Sequence, residues 1–280
     1  MQQHSQAAPG RDARAYERIY AALDLGTNNC RLLIAAPRGD AGAHQDTLTA
    51  PPLKILDSFS RIVRLGEGMS ASGKLSEDAM QRTRAALVAC RKKLNNYHLS
   101  KVRLVATEAC RRASNGGEFL DSIKKELGLS IEIISSEEEA HLAFMGCASL
   151  LTEASKRAMV FDIGGGSTEL MWIDIEHAKS GGGRPITDWL SVSYGVMNLA
   201  DKFGGTGFAD LAFDDMVRFI AEKLEPFDQA NRIAETIGDS EVQLLSTSGT
   251  VTTLAAIHLG LPRYDRSRID GLTLTVDDLR

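Results

Sequence analysis

Asp162-Ile163-Gly164-Gly165-Gly166-Ser167-Thr168-Glu169 stands between two apolar runs, AMVFD ending at Asp162 and TELMWID running from Thr168 to Asp174. Apolar runs of this length broken by glycine read as two strands joined by a tight turn. Three successive glycines weaken a chain between strands, a cost that makes sense where the backbone must pass close to a ligand. Without side chains in the way, consecutive N–H groups can face a phosphate, and a carboxylate at the strand end can hold a cation or orient water. The turn thus marks a candidate phosphate site at Gly164, Gly165, Gly166 and Ser167, with Asp162 and Glu169 as candidate metal ligands. Either acid can equally hydrogen-bond locally.

The same plan occurs earlier. IYAALD, from Ile19 to Asp24, meets the turn Leu25-Gly26-Thr27-Asn28-Asn29 and continues as CRLLIAA to Ala36. Taken alone, Asp24, Gly26, Thr27 and Asn28 fit an ordinary hairpin turn as well as a ligand loop, because Gly and Asn are what positive φ demands. The repetition of strand, Asp, glycine turn and strand carries more: it predicts two lobes of similar plan facing one another. The division expected is a loose tail over 1–17, one lobe over 18–146 and a second over 147–280.

Outward from these turns the chain alternates. Asp40 to Pro52 reads as a loop, and LKILDSFSRIVRLGEG supplies one or two further strands before Gly66-Glu67-Gly68, completing a meander. Ser76 followed by Glu77 and Asp78 caps a helix over Ala79 to Tyr97 with basic residues near its end. A strand over Val102 to Thr107, a helix over Gly117 to Leu127 stopped by Gly128, a strand over Ile131 to Ile134 and a helix over Ser136 to Leu151 follow. After the second glycine turn come a loop over Gly181 to Pro185, a strand over Trp189 to Ser193 and a helix over Asp210 to Leu224. A strand over Val242 to Ser246 then turns at Ser248-Gly249-Thr250 into a helix over Val251 to Leu259. This pattern predicts an α/β fold with mixed sheets flanked by helices. Ser248, Gly249 and Thr250 open a helix whose N-terminus suits an anion or nucleotide, or they cap it in the ordinary way.

Composition narrows the function. The 280 residues are 43% hydrophobic and 25% charged with a formal net charge of −5, which suits a globular chain and argues against a broad DNA-binding surface. Cys30, Cys90, Cys110 and Cys147 form no C-x-x-C pair and suit a reducing compartment. No run reaches the ~20 apolar residues of a membrane span, and the polar stretch Met1 to Glu17 lacks a signal peptide's apolar core. A cytoplasmic protein without membrane association is the expectation. The histidines show no zinc-ligand spacing.

DLGTNN paired with DIGGGSTE resembles the two phosphate loops of the actin, Hsp70 and sugar-kinase superfamily. Within it, FDIGGGSTEL resembles the exopolyphosphatase and guanosine pentaphosphate phosphatase family. GEGM with LSEDAM, VATEACRRA, IEIISSEEEAHLAFMG, SYGVMNLADKF and STSGTVTTLAA follow in the family's order, so the resemblance spans roughly Tyr20 to Leu261. It implies two actin-like, ribonuclease H-like lobes with an interlobe cleft. It also implies a Mg²⁺-dependent hydrolase that removes the terminal phosphate of inorganic polyphosphate or the 5′ phosphate of guanosine pentaphosphate, as a possible homodimer. Glu139, in IISSEEEA, matches the family's water-activating glutamate, and Arg111 a family arginine that binds a terminal phosphate, with Arg112 beside it. Asp24, Asp162 and Glu169 are the expected metal ligands. His141 stands where the family often has arginine, which leaves the preferred substrate open.

Two other functions fit the residues. Ser136-x-x-Glu139 is also a capping box, and a glutamate that only caps its helix would suit a sensor that binds alarmone or polyphosphate without cleaving it. An ATP-dependent kinase of the superfamily is the other alternative, with no kinase signature in its favour. The sequence closes on TLTVDDLR, which reads as the first turn of a helix where relatives usually continue the second lobe.

Overall fold

The turn at Gly26 closes an antiparallel ladder. β1 (Tyr20–Leu25) runs into β2 (Asn29–Pro37) with Asp24 opposite Arg31, and the Gly26 N–H donates to the Asn29 carbonyl at 2.9 Å. The computed structural model describes residues 18–38, 53–152, 155–179, 185–204, 210–238, 242–275 and 277–279. The expected tail over 1–17, the expected loop over 40–52 and most of that over 181–185 lie outside them.

β3 (Leu53–Ile62) completes the meander. α1 (Met69–Ser72) leads into α2 (Glu77–Leu94), where the Ser76 Oγ accepts from the Ala79 N–H at 3.3 Å as the sequence predicted. Ala79, Thr83, Ala86, Leu87, Cys90 and Leu94 line one buried face of α2, the spacing of an amphipathic helix. β4 (Lys101–Ala106) then adds to β1 in parallel, with Asp24 beside Val105. α3 (Glu108–Arg112), α4 (Gly116–Leu127) and β5 (Glu132–Ile133) finish a sheet in the order β3-β2-β1-β4-β5. Gly128 ends α4 in the left-handed conformation at φ 66°. Leu23, Leu25, Ile34, Leu87 and Ile123 belong to the core between this sheet and its helices, where shortening a leucine to alanine costs ~2–5 kcal/mol.

α5 (Ser136–Cys147) is shorter than expected and passes into a 3₁₀ turn at Ala148–Leu150. Its N-cap is Ser135, whose Oγ accepts from the Glu138 N–H at 3.1 Å, so the capping box from Ser136 to Glu139 does not form. Ala140, Phe144 and Cys147 on this helix pack with Val160, Met171 and Ile173 of the second sheet. β6 (Arg157–Ile163) and β7 (Thr168–Asp174) repeat the opening hairpin, with Asp162 opposite Glu169 and the Gly164 N–H donating to the Ser167 carbonyl at 2.9 Å.

α6 (Ile175–Lys179), β8 (Ile186–Val192) and α7 (Val196–Lys202) precede α8 (Asp210–Asn231), which runs a further two turns past Leu224 and carries Pro226 inside. After α9 (Ile233–Gly238), β9 (Val242–Thr247) adds to β6 in parallel, giving the order β8-β7-β6-β9. α10 (Gly249–His258), α11 (Arg266–Ile269) and a 3₁₀ turn at Asp277–Leu279 close the chain, the last in place of the expected α-helical turn. Both sheets share one plan: an antiparallel meander, then a parallel strand beside the first. The fold is therefore mixed α/β with two actin-like lobes.

Candidate functional site

The two glycine turns meet. A Cβ on Gly165 would lie 3.0 Å from Asn28 Cβ, and one on Gly166 would lie 2.6 Å from Thr27 Oγ1, so the absence of side chains lets the loops of the two lobes touch. Gly195 packs equally closely against Gly164 and Gly165, and Val196 and Met197 donate their N–H groups to the carbonyls of Gly164 and Gly165 at 3.1 and 2.9 Å. Asn198 ties the same segment down by donating to the Gly166 carbonyl at 2.8 Å. These bonds use the carbonyls and leave amides over. Among the described residues, the N–H groups of Thr27, Asn28, Gly165, Gly166 and Ser167 make no hydrogen bond, so the turn of each lobe keeps unbonded donors where the two turns touch.

Ser248-Gly249-Thr250 forms the third wall. Neither hydroxyl caps α10. Ser248 Oγ and Thr250 Oγ1 both donate to the Ile163 carbonyl, at 3.1 and 2.8 Å, pinning the turn to the end of β6. Ser248 holds φ 109°, a conformation that L-residues adopt only under constraint. A Cβ on Gly249 would lie 2.9 Å from Arg31 Nη2, so the guanidinium from β2 reaches across to this turn.

Carboxylates crowd the same gap. Asp24 remains exposed at the end of β1, yet the protein packed around it raises its carboxyl above the ordinary range, opposed by the Arg31 charge. Burial and the neighbouring Asp24 charge push Asp162 up to about 6. Glu169 is 2% exposed and pushed up to about 7 by burial, against hydrogen bonds from Ser167 and Ser191, the latter at 2.9 Å. Glu139 is pushed highest, to about 8, by burial first and then by repulsion from Glu169, with Arg111 pulling the other way.

Arg111 sits on α3, a helix in the stretch between Thr107 and Gly117 where the sequence predicted no element. Its Nη1 donates to the Ile134 carbonyl at 2.8 Å and its Nη2 to Glu108 Oε2 at 2.7 Å, while both reach Glu139 Oε2 at 3.2 Å. Arg112 is half exposed and ion-pairs with the other oxygen of the same carboxylate, Glu108 Oε1, at 3.6 Å. Glu108 is 4% exposed, and its Oε1 has no hydrogen-bond partner.

The structure thus brings Asp24, Asp162, Glu169, Glu139 and Arg111 into one electrostatically linked group beside both glycine loops and the Ser248 turn. Sequence reasoning missed Arg31 and Glu108. Arg31 had a readable signal: it lies seven residues after Asp24, as Glu169 lies seven after Asp162, and both spacings are cross-strand pairs. Glu108 had none, because its role depends on α3 turning Arg111 back over it.

A crowded carboxylate set suits a hard cation, which would offset the burial and the smaller mutual repulsion that raise these groups. Among the described residues no three or more His, Cys, Asp or Glu side chains stand close enough to form a ready metal cage. Of the hard cations, Mg²⁺ needs only one or two carboxylates from a protein and completes its shell with water and ligand oxygens.

Fold and site together define a two-lobed α/β protein whose two glycine turns meet beside a group of carboxylates and an arginine. The Ppx/GppA phosphatase family matches residues 43–274, and the chain belongs to that family. It is 33% identical over 255 residues to exopolyphosphatase 2 of Mycobacterium tuberculosis, an alignment covering 89% of this chain and 73% of that protein. Among solved structures it is similar to the Ppx/GppA family member of Aquifex aeolicus, at 28% identity and a TM-score of 0.68, covering 94% of this chain and 76% of that one. An exopolyphosphatase of Cytophaga hutchinsonii aligns at 26% identity and a TM-score of 0.71, over 90% and 74% of the two chains.

Proposed function

We propose that this protein hydrolyses the terminal phosphoanhydride bond of inorganic polyphosphate, with Glu139 as general base and Arg111 as the cation on the transferred phosphoryl group. The observation that carries the reading is that two glycine turns with unbonded amides touch, while Asp24 and Glu169 beside them are close enough to act on the Glu139 carboxyl, which Arg111 holds. Phosphoryl transfer asks chiefly for positioning and for neutralising spreading charge, which amides and guanidinium groups supply. Arg31 adds a second cation at the Gly249 turn. A base serves best when its pKa lies near the working pH, and burial places Glu139 there. Its carboxylate takes the proton of a water placed against the terminal phosphorus, while the loop amides and Arg111 hold the phosphoryl oxygens. Mg²⁺, bound through Asp24 and Asp162 with Glu169 behind them, would neutralise phosphate charge. With Ser135 capping α5, Glu139 is free of the capping role that favoured a sensor.

We further propose that the change of lobe precedes Ser136, since α5 packs on the second sheet. The deciding experiment is phosphate release from long-chain polyphosphate, and in parallel from guanosine pentaphosphate, by the parent chain and by Glu139→Gln. A Mg²⁺-dependent rate that falls ~10²–10⁴-fold in the variant, with binding retained, supports the assignment. Binding without release by the folded parent would return the sensor reading, and the better substrate names the branch of the family.

A further inference from the structure

We propose that Gly66 is a positioning residue for the facing phosphate loops and acts through Thr27. The inference rests on the phosphate-cradle reading of the site. Thr27 is 6% exposed, and its Oγ1 has no hydrogen-bond partner. Its carbonyl accepts the Gly66 N–H at 3.0 Å, and the Gly66 carbonyl accepts the Met69 N–H at 3.1 Å, so the segment behind Thr27 is itself fixed. A Cβ on Gly66 would overlap Thr27 Cγ2. On the other side, a Cβ on Gly166 would lie 2.6 Å from Thr27 Oγ1 and 3.1 Å from Thr27 Cγ2. Thr27 is therefore gripped between two glycines, one from each lobe.

A β-branched side chain has little freedom at χ1 and cannot swing out of such a grip. How far Thr27 projects toward Gly166 is then set by how much room Gly66 leaves behind it. Gly66 does not occupy the left-handed region, so its need for glycine comes from this contact and not from backbone conformation. A methyl group at position 66 drives Thr27 against Gly166 and parts the two rows of unbonded amides. The other atoms near that added carbon, Thr27 Cβ and the Thr27 carbonyl, lie at 3.7 and 3.8 Å, which is ordinary contact. The conflict is with one methyl group, and Thr27→Ser removes that methyl while keeping the hydroxyl.

The test compares Gly66→Ala, Thr27→Ser and the double variant in three measurements: phosphate release from long-chain polyphosphate, hydrogen exchange over 24–29 and 162–168, and thermal unfolding. Gly66→Ala is expected to lower kcat/KM about tenfold or more and to quicken exchange in both loops, since a misplacement of ~1 Å costs ~10²-fold in rate. The double variant is expected to return to the Thr27→Ser values. Gly66→Ala indistinguishable from the parent, or a double variant as impaired as Gly66→Ala, overturns the proposal. Should Gly66→Ala not fold, recovery of folding in the double variant upholds it and continued failure overturns it. Should the parent release no phosphate, the hydrolase reading falls and hydrogen exchange alone decides: loop protection lost in Gly66→Ala and restored in the double variant upholds the grip, and unchanged protection refutes it.

Discussion

Both terminal nitrogens of Arg111 converge on one oxygen of Glu139, Oε2, at 3.2 Å each, while shorter bonds to Glu108 and the Ile134 carbonyl hold the guanidinium in place. The proposed base and the proposed phosphate-binding cation thus restrain each other before substrate arrives. The long contacts to Glu139 are the ones a phosphate oxygen can displace, because the two shorter ones anchor the fork from behind.

The pairing fixes a pH dependence. A general base works deprotonated, so phosphate release should climb with pH toward a midpoint near 8, the value to which burial and Glu169 push Glu139. Arg111 opposes that shift, so Arg111→Ala should move the midpoint upward as well as lower the rate ~10²–10³-fold. A pH–rate profile of both proteins checks the sign. An unchanged midpoint in the variant would mean that the titrating group is not Glu139.

Glu108 should behave as a positioning residue. Its Oε2 is 2.7 Å from Arg111 Nη2, and it is buried with Oε1 outside hydrogen-bond range of Arg112 at 3.6 Å. Glu108→Gln keeps an acceptor of similar shape but removes the charge, leaving Arg111 less firmly anchored. KM for polyphosphate should rise several-fold, with kcat changing less, because binding geometry suffers more than the base does. Equal loss in kcat with KM unmoved would place Glu108 in the chemical step instead.

Much of the site could be read from sequence because its chemistry is local. Asp162 to Glu169 announces a glycine turn between two strands, and Asp24 to Asn28 repeats the plan, so the two-lobed fold followed from the repetition. What stayed hidden depends on tertiary approach. Whether Glu139 capped its helix or faced the cleft turned on a choice between Ser135 and Ser136 as N-cap, two identical residues whose difference lies only in backbone angles. Glu108 and Gly66 matter through neighbours distant in sequence, Arg111 over Glu139 and Thr27 over Gly166. Short helices such as α3 were invisible to periodicity, and α8 outran its expected end at Leu224 with Pro226 accommodated inside the helix.

Ser248 offers a test of strain at the cleft. Its φ of 109° suits glycine, and its hydrogen bond to the Ile163 carbonyl is duplicated by Thr250 at 2.8 Å. Ser248→Gly should therefore be neutral or stabilising by up to ~1 kcal/mol. Ser248→Ala should destabilise by about 1 kcal/mol, since it loses a hydrogen bond and keeps the strain. Chemical denaturation of the two variants separates them, and the same order reversed would show that the side chain, not the backbone, holds the turn.

Burial of the carboxylates, with their mutual repulsion added, should also make the protein less stable as pH rises. Glu139 is raised from 4.5 to about 8, Glu169 from 4.5 to about 7 and Asp162 from 3.8 to about 6. In each case the folded protein holds the proton more tightly than the unfolded chain. The stabilisation is therefore complete below the ordinary carboxylate range and is lost as pH climbs through these raised values. Glu169→Gln removes the most buried charge while leaving Ser191 a partner. It should gain ~2 kcal/mol over the parent at pH 8, roughly 5 °C in Tm, and nothing at pH 5. The same substitution should cost activity, because a stabilised site is one whose charges no longer wait for a cation and a phosphate. Thermal melts at the two pH values, each with and without Mg²⁺, carry the test further. If the carboxylates hold Mg²⁺, the ion should stabilise the parent at pH 8 more than it stabilises Glu169→Gln. An equal shift in both proteins would place the ion away from Glu169 and its neighbours.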